Sequence, residues 1–81
     1  MKVQVLGVQR LEFPDEKTGE IVTGTRLHVC FKDAYVNGQA VDKIFINDRL
    51  DLSAVSEIKP DMIVDLEYNN RRRLCDVLLC E

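Results

Sequence analysis

The sequence predicts an all-β fold, a small barrel of five antiparallel strands formed by a single domain over residues 1–81. The main observation is the strict alternation in residues 25–31. Leu27, Val29 and Phe31 point to one side of this segment, and the cation, imidazole and thiol between them point to the other. A period of two residues is that of a half-buried β-strand. Further apolar stretches follow the same pattern and are separated by turn-forming residues.

The first two strands are predicted at residues 2–13 and 21–32, joined by a charged hairpin loop. The apolar positions of the first strand change sides near Gly7, which predicts a β-bulge or a sharp bend at that glycine. Gly24 is a candidate for a second kink, in the second strand.

The third strand is predicted at residues 41–47, after a turn that Asn37-Gly38 favours because both residues tolerate left-handed backbone conformations. Ile44 and Ile46 share one of its faces, and Lys43 and Phe45 share the other. The sequence leaves open which of these two faces is buried.

A short helical connector is predicted between the third and fourth strands, because Leu52, Val55 and Ile58 recur at three-residue spacing. Asp51 and Ser53 are the candidate N-caps. The fourth strand is predicted at residues 61–68 and the fifth at residues 73–80. The fifth strand is apolar on both faces, so we expect it to be buried between layers or in a dimer contact.

The element order, three strands, a short helix and two strands, is that of an OB-fold barrel, in which closure removes the exposed sheet edges. An SH3-like barrel is the alternative, since it also has five strands and a single helical turn.

Composition restricts the possible functions. The net charge of −3 argues against a protein that coats duplex DNA by charge alone. No apolar stretch approaches the ~20 residues of a membrane span, and the first residues lack the apolar core of a signal peptide. Together with three cysteines in no disulfide pattern, this predicts a cytoplasmic protein with free thiols.

Catalysis has little support in the sequence. His28 is the only histidine, and its spacing from Cys30 does not suit a nucleophile and its base. These two residues are too few for a metal site, and no phosphate-binding glycine loop is present. We therefore expect a protein that is not an enzyme and that carries no metal or cofactor.

The candidate site is a nucleic-acid-binding surface that mixes cations with aromatic rings. Such a surface binds single strands because cations follow the phosphates and planar rings stack on bases. Cations of the second and third strands, one arginine of the first strand, an aromatic loop residue and an arginine cluster between the last two strands provide it. The residues are Arg10, Arg26, His28, Lys32, Tyr35, Lys43, Phe45, Arg71, Arg72 and Arg73.

The layout of the chain resembles that of small proteins from phages and mobile elements of Gram-positive bacteria. The resemblance is carried by residues 1–9 (MKVQVLGVQ), 17–29 (KTGEIVTGTRLHV), 41–46 (VDKIFI) and 58–69 (IKPDMIVDLEYN). Those proteins are in turn distantly similar to the helix-destabilising, single-stranded DNA-binding proteins of filamentous phages. The resemblance implies an OB-type barrel, a homodimer and cooperative coating of single-stranded DNA during replication. By position, it makes Tyr35 and the loop around it the DNA-binding wing, and it places Arg26, His28 and the face of the third strand along the groove.

The alternative function is a protein-interaction module that docks a partner through Asp65 and Glu67 of the fourth strand or through an edge strand. In either case we expect a homodimer, because the core is small and the fifth strand is apolar on both sides. The sequence does not decide between DNA, RNA and protein as the partner.

Overall fold

The computed structural model of the chain describes residues 1–50 and 52–80. It is all-β, with one antiparallel sheet of five strands in the order β3-β2-β1-β4-β5. This confirms the predicted class, and each predicted strand agrees with the structure to within two residues. The strands are β1 (Lys2–Pro14), β2 (Ile21–Lys32), β3 (Gln39–Asn47), β4 (Ile63–Tyr68) and β5 (Leu74–Cys80).

The sheet is not closed into a barrel. Within the described residues, β3 and β5 are both edge strands, and no ladder joins them. The sheet nevertheless curls. All five strands contribute side chains that are less than 3% exposed, and since only a short connector covers them, the sheet must bend around its own core to bury them. Burial raises the pKa of Tyr68 in β4, and the carboxylate of Asp42 in β3 raises it further, so the curl brings these distant strands towards each other.

The hydrophobic core lies on one side of the sheet, which we call the inner face. It is an aliphatic cluster with contributions from every strand and from the connector. Its members are Val3, Val5, Leu27, Val29, Ile46, Ile58, Val64, Leu66 and Val77. The alternation that predicted β2 is confirmed, since Leu27 and Val29 are fully buried and Phe31 packs against the cluster.

The predicted irregularity at Gly7 is confirmed as a shift in the β1–β2 register. Val5 pairs with Val29 and Gly7 pairs with His28, so Leu6 is the extra residue of a bulge. Val3 and Val5 face inward before the bulge, and Val8, opposite Leu27, faces inward after it.

The connector consists of two short 3₁₀ helices, Asp48–Leu50 and Ser53–Glu57, instead of an α-helix. Its apolar residues pack on the core as predicted, because side chains three residues apart align along a helix of three residues per turn. Ser53 is not an N-cap, since Leu52 holds that position without a side-chain hydrogen bond. The other candidate cap, Asp51, lies outside the described residues.

The β5 strand is not buried between two layers of this chain, contrary to the first of the two expectations for it. Val77 is buried, whereas Leu78 and Leu79 are 44% and 37% exposed. Leu78, opposite Asp65, points outward, where a single sheet meets only solvent, and Leu79, opposite Val64, points inward at the uncovered edge of the sheet.

Candidate nucleic-acid interface

The side of the sheet opposite the core carries most of the predicted site. We use "outer face" for the outward-pointing side chains of β1, β2 and β3. Directly opposed residues of an antiparallel ladder point to the same side, and the register places Arg26 opposite Phe45 and His28 opposite Lys43. The pairing of β2 with β3, on which the predicted patch depended, is therefore present.

The outer face concentrates positive charge. It holds Arg26, His28, Lys32 and Lys43, and none of its outward positions is an aspartate or glutamate. Those positions are Lys2, Gln4, Leu6, Gly7, Gln9, Leu11, Phe13, Val22, Gly24, Arg26, His28, Cys30, Lys32, Gln39, Val41, Lys43, Phe45 and Asn47. Among the described residues, Arg26, Lys32 and Lys43 form no salt bridge.

The acidic residues lie elsewhere. The outward side of β4 and β5 carries Asp65, Glu67 and Asp76, with Glu67 directly opposite Asp76. Asp65 also accepts a hydrogen bond from the N-terminal ammonium at 2.8 Å. On the outward side of the sheet, the carboxylates are thus confined to β4 and β5, where Asp65 lies directly opposite Lys2 of the outer face.

Phe45 belongs to the outer face, which answers the question that the sequence left open. Ile46 is buried and Ile44 packs against the core, whereas Phe45 is half-buried on the other side of β3. Its ring lies over Gly24, where an added Cβ would be 2.4 Å from the Phe45 ring. No register shift occurs at Gly24, the candidate for a second kink, and the glycine makes room for the ring.

Phe13 belongs to the candidate surface, and the sequence reasoning missed it. Its ring is 5.7 Å from that of Phe45, centroid to centroid, at an interplanar angle of 55°, and the side chain is 41% exposed. Counting alternate residues from Gly7 past the bulge gives Gln9, Leu11 and Phe13 as outward positions, so the sequence did contain the signal.

A shallow recess of about 390 Å³ lies on the outer face beside the bulge. Leu6 and Val41 form apolar walls, and His28 and Lys43 provide polar groups; Val29 and Asp42, which the alternation assigns to the inner face, complete the lining. Leu6 is 49% exposed and Val41 is 73% exposed. Neither was a predicted site residue.

Tyr35 stands in the loop between β2 and β3 and is 97% exposed. The loop is ordered by Asp33, whose carboxylate accepts the backbone N–H of Tyr35 at 2.9 Å and whose carbonyl accepts that of Val36. The ring is therefore presented to solvent at the end of the sheet where β2 stops.

Arg71, Arg72 and Arg73 form the exposed tip of the β4–β5 hairpin. The Asn69 side chain accepts hydrogen bonds from the backbone N–H groups of Arg71 and Arg73, and Arg72 has a φ of 60°. Because neighbouring strands alternate in direction, this tip and the Tyr35 loop lie at the same end of the sheet. The tip is not part of the outer face of β1–β3.

Arg10 does not join the patch, and its assignment to that surface is corrected here. It lies opposite Thr25 on the inner face, one position beyond Gln9, which faces Arg26. Its guanidinium donates to Thr25 Oγ1 at 2.9 Å and to both carboxylate oxygens of Asp48 at 2.9 and 2.8 Å. It therefore fastens the connector to β1 and β2.

This contact has an electrostatic consequence. The hydrogen bond from Arg10, followed by one from Thr23, lowers the pKa of Asp48 from 3.8 to about 2. The same hydrogen bond raises the pKa of Arg10. The pair borders the larger cavity of about 560 Å³, whose apolar lining includes Val8, Ile46 and Leu52.

His28 and Cys30 do not act on each other. The imidazole Nε2 of His28 lies 3.2 Å from Gln9 Oε1, and the thiol of Cys30 donates to Gln4 Oε1 at 3.9 Å. Over residues 1–50 and 52–80, no group of three or more His, Cys, Asp or Glu side chains is arranged to hold a metal ion.

Comparison with protein-family models, with curated proteins and with solved structures found no match to this chain. No helical segment within the described part of the chain has the length and apolar character required to cross a bilayer.

Proposed function

We propose that this protein is a non-enzymatic binder of single-stranded nucleic acid, DNA in the first place, and that the strand lies along the outer face of β1–β3. The observation that carries the proposal is the separation of charge. Arg26, Lys32 and Lys43 share the outer face, where no outward position of β1–β3 is an aspartate or glutamate and only Asp42 borders the recess, and the half-exposed Phe13–Phe45 pair lies on the same face.

Each component of this surface has a counterpart in a single strand. Unpaired cations can neutralise phosphates and release counterions. Exposed rings can stack on bases, and an unpaired strand offers base faces that a duplex keeps inside its own stack. Arg26 and Lys32 are six residues apart in sequence, and at the rise of an extended strand this is about 20 Å. The surface is thus long enough to follow a strand over several phosphates.

The strand order supports an open OB-type architecture for this function. In the order β4-β1-β2-β3, three hairpin-connected strands are followed by a fourth that returns beside the first, which is a Greek key. OB-folds are partly open five-stranded Greek-key barrels that bind oligonucleotides on the face of strands 2 and 3 and with the β1–β2 and β4–β5 loops. Here the β4–β5 loop carries Arg71, Arg72 and Arg73.

The setting we propose follows from the same resemblance in layout to phage helix-destabilising proteins. The chain would coat exposed DNA during replication of a phage or mobile element, as a homodimer, in the cytoplasm. A reducing compartment suits its three free thiols, Cys30, Cys75 and Cys80.

A second function, docking of a protein partner, is favoured by one specific observation. The outward side of β4–β5 combines Asp65, Glu67 and Asp76 with Leu78, which is 44% exposed. An acidic surface with an apolar centre suits a basic protein segment better than a nucleic acid.

The experiment is a titration of the wild-type protein with labelled oligo-dT and with a duplex of equal length, at 50 and 200 mM salt. We expect preference for the single strand. If Arg26, Lys32 and Lys43 each contact a phosphate, the log–log salt slope is about −2 and affinity falls roughly twentyfold between the two conditions. Absence of oligo-dT binding at 50 mM salt refutes the proposal, and equal affinity for the duplex refutes the role of base stacking.

A further inference from the structure

We infer that the recess beside the β1 bulge is a binding pocket for one unstacked nucleobase, a site that deepens, and rests on, the proposed function. Leu6 and Val41 form its apolar walls, His28 and Lys43 lie at its polar edge, and Val29 and Asp42 complete the lining. None of the phenylalanines contributes to it, so it is distinct from the Phe13–Phe45 pair.

The bulge creates this recess. An unpaired residue in a bulge changes where side chains point, and Leu6 is the residue left without a partner between Val5 and Gly7. The His28 ring lies beside Gly7, since a Cβ added there would be 3.7 Å from His28 Cδ2. The result is a Leu side chain and an imidazole that border one depression.

The chemistry of the lining favours a base over a phosphate. The walls are aliphatic, and a charged phosphate would lose its hydration against Leu6 and Val41 without full compensation. A nucleobase has an apolar face for such walls and polar edges for His28 and Lys43. The carboxylate of Asp42 in the lining also disfavours an anion and can accept a hydrogen bond from a base.

The position of the recess connects it to the rest of the surface. His28 and Lys43 form the row next to Arg26 and Phe45, two residues along each strand, a distance of about 7 Å. A strand whose phosphates follow the cations of β2 and β3 therefore passes directly over the recess. An apolar peptide side chain would fit the walls equally well, but the cations of β2 and β3 on either side of the recess attract a polyanion and not an apolar side chain.

The test compares oligo-dT with an abasic oligonucleotide of the same length, which keeps the phosphates and lacks the bases. Val41→Ala and Leu6→Ala are the variants, and Leu78→Ala is the control, a leucine of similar exposure on the outward side of β4–β5. We expect each recess variant to bind oligo-dT about fivefold more weakly and the abasic strand unchanged, while Leu78→Ala alters neither.

A second measurement does not depend on the stability of any variant. In wild-type protein, the methyl NMR signals of Leu6 and Val41 should shift when oligo-dT is added, because a stacked base produces a ring current, and should stay in place with the abasic strand. If wild-type protein binds oligo-dT while these methyl signals and the affinities of both recess variants stay unchanged, the inference is wrong and the proposed function stands. If wild-type protein binds neither strand, both are wrong.

Discussion

Replacing Gly24 with alanine tests whether the outer face needs a bare backbone beneath Phe45. An added Cβ would lie 2.4 Å from Cζ of Phe45 and 2.5 Å from the carbonyl oxygen of Ile46. The ring can rotate away, but the carbonyl is part of β3, which is paired with β2 at this point. The clash therefore has to be relieved by moving Phe45 and separating the two strands locally.

The expected magnitude follows from two opposing terms. Overpacking costs about 1–3 kcal/mol, while alanine gains about 0.5–1 kcal/mol over glycine in a strand because it loses less backbone entropy. The net expectation is a loss of about 0–2.5 kcal/mol, with a middle value of about 1 kcal/mol, in the free energy of unfolding, measured by urea denaturation with an unchanged m-value. Near-UV or NMR signals of the phenylalanines should also change.

Gly7→Ala is the matched control. Its added Cβ would meet only His28, at 3.7 Å, which is an ordinary contact distance, and Gly7 is not one of the glycines with positive φ. We expect no loss of stability and a gain of about 0.4–1 kcal/mol. Equal stability of the two variants would refute the packing of Phe45 against Gly24.

Further predictions concern three polar sites. For Asp48, the pKa in the folded state is depressed from 3.8 to about 2, so the stability that its carboxylate provides is complete above pH 3.8 and is lost as the pH falls towards 2. In acid titrations, the difference in unfolding free energy between wild type and Asp48→Asn should therefore vanish over that pH range. A difference that stays constant would contradict the contact with Arg10. Tyr35→Ala should leave the urea midpoint of unfolding unchanged, because the side chain is 97% exposed. If the ring stacks on a base, the variant should bind oligo-dT about fivefold more weakly. A lowered midpoint would instead show that the ring supports the fold. Arg72→Gly should raise stability by about 1 kcal/mol in urea, since a φ of 60° is unfavourable for arginine, and a loss would show that its side chain makes contacts worth more than the strain.

The parts of the fold that depend on local periodicity were predictable. Alternation in β2 gave its inner and outer sides, and the change of side near Gly7 gave the bulge. The three-residue spacing of the connector predicted which side chains pack on the core, although such a spacing suits a 3₁₀ helix better than an α-helix. Whether the sheet closes was not predictable, because closure depends on curvature accumulated over the whole sheet, and the edge strands β3 and β5 are not paired with each other.

The error on Arg10 comes from not following the bulge to its consequence. Once the inward positions change from Val3 and Val5 to Val8, the next alternate residue, Arg10, must also face inward. The same count places Phe13 outward. The recess was beyond sequence reasoning, since it needs Leu6 of β1 and Val41 of β3 at a depth that only the assembled sheet defines.

The most direct test of the account compares Arg26→Gln with Arg10→Gln in oligo-dT binding. Both changes remove one positive charge, and the two arginines lie in adjacent rows of the sheet on opposite faces. We expect Arg26→Gln to weaken binding and to reduce the magnitude of the log–log salt slope by about 0.7, whereas Arg10→Gln, checked to be folded, keeps the wild-type affinity. Equal losses in both variants, or a larger loss for Arg10→Gln, would contradict an interface on the outer face.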